Sequence, residues 1–260
     1  MVFLFVATNK KDMQFKLEIC VDSPESAINA QEAGAHRIEL CDNLAEGGTT
    51  PSYGMVLSVR KNLDIPVNVL IRPRGGDFLY SDIEYDIMRR DIELCGEAEA
   101  DGIVIGILLK EGFIDVERSA RLVEFAGPLN VTFHRAFDMS PDPQRALEDV
   151  IASGATRLLS SGLRQTAAEG IDVLADLVER AGDKLIIMPG GGINESNIDL
   201  VAKRSGASEF HLSGRKYVRS EMIFRKTGIS MGGYPDIPEY GRKIADVDTI
   251  RNIAEKLKMI

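Results

Sequence analysis

From Phe15 onward, eight short runs rich in β-branched and other apolar residues alternate with stretches of helical periodicity, and this alternation restricts the fold more than any other feature. The predicted strands are Lys16 to Val21, Arg37 to Cys41, Val67 to Arg72, Gly102 to Gly106, Val131 to Arg135, Arg157 to Ser161, Lys184 to Met188 and Glu209 to Ser213. The predicted helices are Pro24 to Ala33, Tyr53 to Asn62, Ile83 to Glu97, Val116 to Phe125, Pro143 to Ala152, Ala168 to Arg180, Glu195 to Arg204 and Asp246 to Lys258. Helix starts carry caps, as in Asp22-Ser23-Pro24-Glu25, and helix ends carry glycines such as Gly34, Gly127 and Gly182. Right-handed crossovers repeated eight times without a break close most naturally into an α/β fold of the (β/α)8 TIM-barrel type, a single domain over residues 15–260. A doubly wound open sheet is the alternative, because strand order is not written in a sequence.

Two segments fall outside this rhythm. Residues 1–14 read as an N-terminal extension: the apolar run Val2 to Ala7 is too short for a signal peptide, and Lys10 and Lys11 follow it rather than precede it. The run Gly214 to Tyr240, between strand eight and the last helix, reads as irregular because Gly228, Gly232, Gly233, Pro235 and Pro238 punctuate it. It suits either a lid over the barrel mouth or an arm onto a second subunit.

Composition narrows the partners. A formal charge of −9 argues against nucleic acid and anionic membranes, and no apolar run reaches the ~20 residues of a membrane span. Three cysteines make no disulfide framework and fit a reducing cytoplasm. The expected partner is an ion or a small anionic molecule.

The segments Leu17-Glu18-Ile19-Cys20 and Ile38-Glu39-Leu40-Cys41 repeat one pattern twenty-one positions apart. On neighbouring parallel strands, ~4.8 Å apart, alternation puts both glutamates and both thiols on one face, where two sulfurs at equal height suit a soft metal ion. Sending the apolar faces toward the helices leaves Arg37, Arg72, Thr132, His134, His211 and Ser213 pointing inward as well. Single cysteines at strand ends are more often small buried hydrophobes, and Cys95 keeps that reading.

Three loops add candidates. Arg72-Pro73-Arg74-Gly75-Gly76-Asp77 offers guanidiniums and a carboxylate for an anionic ligand, or an Arg72–Glu39 pair across the barrel. Gly190-Gly191-Gly192, after strand seven and opening a helix, offers backbone N–H groups to a phosphate. In His134-Arg135-Ala136-Phe137-Asp138, His134 is a candidate acid or base with Asp138 to orient it, although an Arg135–Asp138 pair explains part of the motif equally well. Strand six carries no inner lysine for Schiff-base chemistry, and three histidines, with His36 at the wrong end, do not make a three-histidine catalytic zinc site.

These segments closely resemble the CutC family, known as copper homeostasis proteins, from about Phe15 to the end. The resemblance rests on "EGGTTPS" at Glu46 to Ser52, "IRPRGGDF" at Ile71 to Phe78, "VTFHRAFDM" at Val131 to Met139 and "MPGGGI" at Met188 to Ile193. It implies a TIM barrel, a cytoplasmic location, homo-oligomers, and copper(I) held by the cysteines of the two repeated segments, here Cys20 and Cys41. Two readings follow. One is a copper(I)-binding protein using Cys20 and Cys41; the other is a barrel enzyme in which Glu39 and His134 serve as acid and base. In the second, Arg72 and Arg74 hold an anion, Gly190, Gly191 and Gly192 hold phosphate, and Asp77, His211 and Ser213 complete the ligand site.

Overall fold

The computed structural model describes residues 15–231 and 238–260, so the predicted extension 1–14 lies outside the described residues. Eight parallel strands, β1 (Lys16–Val21), β2 (Arg37–Leu40), β3 (Val67–Leu70), β4 (Gly102–Ile105), β5 (Asn130–Phe133), β6 (Arg157–Ser160), β7 (Ile186–Pro189) and β8 (Glu209–Leu212), run in the order β7-β6-β5-β4-β3-β2-β1-β8. A parallel bridge between Gly190 and His211 joins the two ends and closes the ring. The fold is therefore a (β/α)8 barrel and not an open sheet.

The helices are α1 (Pro24–Glu32), α2 (Tyr53–Asn62), α3 (Asp82–Glu97), α4 (Val116–Ala126), α5 (Pro143–Ala152), α6 (Ile171–Ala181), α7 (Ile198–Ser205) and α8 (Val247–Lys258). Their starts follow the sequence signals: Ser23 accepts from Ser26 N ahead of Pro24, and Ser81 forms a capping box with Glu84. None of the described helices is long and apolar enough to cross a membrane.

Two expectations need correction. The glycine run after β7 does not open directly into α7, which starts at Ile198; the side chains of Asn194 and Asn197 both donate to Gly192 O and hold a turn in between. The segment Gly214 to Tyr240 is not irregular throughout. It opens with β9 (Arg215–Arg219), which pairs antiparallel with β10 (Gly241–Ala245) to form a ribbon. Asn29 donates to Ala245 O and Ala245 N donates to Ser26 Oγ, so the ribbon's base is anchored on α1.

The outward face of the sheet makes the main core: Leu17, Ile19, Val21, Ile38, Leu40 and Phe210 are all buried against the helices. Each such side chain contributes roughly 1.5–3 kcal/mol of transfer free energy. The inward face is different. Interior side chains of a barrel stack in rings drawn from alternate strands, and here the register stacks Arg37, Gly102, Arg157 and Glu209 at the bottom. Glu18, Asn68, Thr132 and Met188 come next, and then Glu39, Val104, Leu159 and His211. Cys20, Leu70, His134 and Gly190 form the ring above, so polar chemistry rises through the barrel to its C-terminal mouth.

Candidate functional site

The site rests on a buried ion network. Arg37 pairs with Glu18 and donates to Glu209 Oε2 at 2.8 Å; Arg157 Nε reaches the same oxygen at 2.6 Å. Burial opposes the Glu18 charge, but Arg37 and His211 hold its carboxyl down to about 2. Glu18 is therefore a carboxylate, spoken for from below by Arg37 and from above by His211 Nδ1 at 2.8 Å.

The repeated Glu-x-Cys units do not pair like with like. Cys20 lies opposite Glu39, and Glu18 opposite Arg37, an offset of two residues between the repeats. The two sulfurs nevertheless approach diagonally to 3.7 Å. Among the described residues, Cys20 Sγ, a Glu39 oxygen and a His211 nitrogen lie within 4.8 Å of one another, the one such cluster with metal-ligating atoms. His211 Nε2 stands 3.5 Å from Glu39 Oε2.

Each group has a distinct proton state. Above all the Cys41 thiol beside it, and then His211, bring Cys20 down to about 5 against the pull of burial. The same contact with Cys20, together with burial, pushes Cys41 well above an ordinary thiol. Burial raises Glu39 to about 8, helped by the charges of Cys20 and Glu18. Burial works against a charge on His211, yet Glu39, Cys20 and Glu18 outweigh it and keep the ring protonated. The two thiols are thus driven apart, Cys20 toward the thiolate and Cys41 toward the thiol, while Glu39 and His211 are both pushed toward holding a proton.

Above this cluster opens a cavity of about 330 Å³. Cys20, Glu39 and His211 form one wall, and Leu70, Arg72, Phe78 and His134 belong to the rest of its lining. Arg72 lines it but does not pair with Glu39. Its guanidinium donates to the carbonyls of Glu46, Gly48 and Gly76 and lies over the Phe78 ring, 5.1 Å from its centre. His134 Nδ1 accepts from Ala136 N at 3.1 Å, which leaves the ring proton on Nε2, a buried atom without a partner. Burial first and the Arg72 charge second lower His134 to about 3, so it stands as a neutral donor and not as a base.

Other sequence candidates sit elsewhere. Asp138 lines the cavity but does not orient His134; it accepts from Ser160 Oγ, Ser161 N and Leu163 N and pairs with Arg135 Nε at 2.8 Å, bracing the loop after β6. Arg74 pairs with Asp77 at 3.0 Å and Glu84 at 2.5 Å, which fixes the β3–α3 loop. Gly190 bridges to His211, and Gly191 and Gly192 have their carbonyls engaged by Ala167 N and by Asn194 and Asn197. Arg74, Asp77, Gly190, Gly191, Gly192 and Ser213 are not among the residues lining the cavity.

This geometry can be set beside known proteins. The profile of the CutC family matches residues 15–216. The chain belongs to the CutC family. A CutC family protein of Chromobacterium violaceum is 50% identical over 241 residues, covering 93% of this chain and 97% of that protein. The copper homeostasis protein cutC homolog of Homo sapiens is 48% identical over 239 residues, covering 92% of this chain and 88% of that one. A solved CutC structure from Streptococcus agalactiae superposes with a TM-score of 0.73 at 37% identity, covering 76% of this chain and 98% of that chain.

Within this family member, the sequence reading missed the side chains that finish the site. Phe78, Leu70, Leu159 and Met139 also line the cavity, although each reads in the sequence as an ordinary apolar residue. Gly106 was missed too: a Cβ there would stand 2.3 Å from His134 Cε1, so only glycine leaves room for the imidazole beside the end of β4. Its position at the end of β4, level with the mouth, was the available signal.

Proposed function

We propose that the chain binds copper(I) between Cys20 and Cys41 and serves copper handling in a reducing, cytoplasmic compartment, in keeping with the name its human relative carries. The observation that carries this reading is the 3.7 Å sulfur contact. Metal–sulfur bonds of ~2.3 Å let one ion touch both sulfurs at that separation. Glu39 and His211 are both pushed toward holding a proton, which leaves the two sulfurs as the soft donors at hand. That set suits copper(I), which accepts two soft ligands, better than zinc, which prefers four. Replacing both cysteines with serine should abolish sub-micromolar copper(I) binding under reducing conditions; unchanged stoichiometry in the double variant would refute the proposal.

A second reading is favoured by the cavity, which is far larger than an ion requires and falls in the ~300–1,000 Å³ range of small-ligand pockets. In it the barrel acts on a small anion, with Glu39 as the acid and with Arg72 and His134 Nε2–H as donors. Isothermal titration calorimetry with small carboxylates and with inorganic phosphate tests it, and no binding by either would set it aside. We extend the proposal to self-association. The exposed Met222, Ile223, Phe224, Ile229 and Met231, in the segment following β9, support a second copy of the chain as partner. The net charge of −9 supports neither nucleic acid nor an anionic membrane.

A further inference from the structure

The two sulfurs are not equivalent in their access. Cys20 is part-exposed and lines the cavity, whereas Cys41 is 1% exposed and packs with Leu70 and Val104. A small molecule arriving through the mouth meets Cys20 first, and the next sulfur stands 3.7 Å away. The third thiol, Cys95, lies on α3 within the outer core. Two ionisable side chains, His211 and Glu39, have ligating atoms within 4.8 Å of the Cys20 sulfur. A front sulfur, a second sulfur in contact and adjacent side chains able to relay a proton are what two-step reduction of a hydroperoxide requires.

We propose that Cys20 and Cys41 form a two-electron redox pair that reduces small hydroperoxides, Cys20 as the attacking sulfur and Cys41 as the resolving one. In the first step the Cys20 sulfur attacks the peroxide: an S–O bond forms, the O–O bond breaks, and the departing oxygen takes one proton from the cluster of Cys20, His211 and Glu39. Hydrogen peroxide then leaves as water, and Cys20 carries a sulfenic acid. In the second step the Cys41 sulfur displaces the hydroxyl: an S–S bond forms, the S–O bond breaks, and the Cys41 proton leaves with the hydroxyl as a second water. The two sulfurs supply the two electrons, and exchange with a small dithiol restores both thiols while that dithiol becomes a disulfide.

Closing the gap from 3.7 Å to ~2.05 Å requires movement, and Cys41 lies just past the last residue of β2, where the strand gives way to loop. The inference goes beyond copper binding and does not need it. Where both hold, oxidation and metal compete for the same sulfurs.

The test uses the full chain, reduced and freed of metal with a chelator, treated with one equivalent of hydrogen peroxide. Peptide mapping should show a Cys20–Cys41 crosslink within one chain, with Cys95 still free. In the Cys41→Ser variant the reaction should stop at a Cys20 sulfenic acid that dimedone traps. In Cys20→Ser, peroxide consumption should fall at least about tenfold. Cys95 or Cys41 reacting ahead of Cys20, a crosslink only between two copies, or a Cys20 sulfenic acid that Cys41 never resolves would each overturn the proposal. The wild-type map alone decides whether the crosslink forms within one chain and spares Cys95, so that part of the result does not depend on the variants folding; dimedone added to wild type during the reaction reports which sulfur oxidises first. Copper binding without crosslinking, or the reverse, separates failure of one proposal from failure of the other.

Discussion

His134 shows how one side chain links burial, tautomer and acid stability. Held at about 3 in the fold, against about 6.5 in an unfolded chain, it takes up a proton more readily when unfolded. Its contribution to stability is complete above pH 6.5 and is lost as the pH falls from there through 3, at about 1.4 kcal/mol per unit of pH. Glu39 has the opposite sign: raised to about 8, it stabilises fully below about 4.5, and that share is lost as the pH rises through 8. His134→Phe should therefore flatten the acid limb of the stability curve while leaving the neutral-to-alkaline limb parallel to wild type. Urea unfolding at pH 7 and pH 4.5 checks this, and an equal loss in both proteins would show that the ring is protonated in the fold.

At the scale of elements, β8 ties the base of the barrel to its mouth. Its first residue, Glu209, meets both Arg37 and Arg157, and its third, His211, meets Glu18 and Glu39. Glu209→Ala strands buried guanidinium charge and should destabilise the fold by about 3–5 kcal/mol, whereas a loss under about 1 kcal/mol in urea unfolding would mean that the arginines find other acceptors. The strands themselves were legible in the sequence to within a residue or two, because an apolar outward face repeats in each of them. The two-residue offset between β1 and β2 was not, since register depends on pairing that no single strand encodes. That offset makes Glu39, and not Glu18, the carboxyl beside the thiols. The ribbon was missed for a related reason: Arg215-Lys216-Tyr217-Val218-Arg219 is mostly polar, and its partner begins 22 residues beyond its end. Among site residues, Cys20, Cys41 and His211 stood out as rare types at strand ends, while the carbonyls that hold Arg72 come from loops whose path a sequence does not give.

For the whole molecule, the segment after β9 is the main departure from barrel symmetry. Ile223 is 99% exposed and Phe224 73%, an apolar tip that water disfavours. Replacing both with aspartate should shift the protein to a smaller species in sedimentation velocity while leaving the barrel folded; identical sedimentation of variant and wild type would remove the ribbon tip from any assembly.

The ring's closure has its own consequence. Between β1 and β2, and between β1 and β8, four residue pairs hold the strands together, but the far side of β8 meets the chain after β7 through the one bridge at Gly190 and His211. Counted in paired residues, the seam beside the imidazole is the thinnest in the wall. The single tie at that seam is made by the backbone of the residue whose ring meets both Glu18 and Glu39, so any parting of the wall there would also shift those contacts.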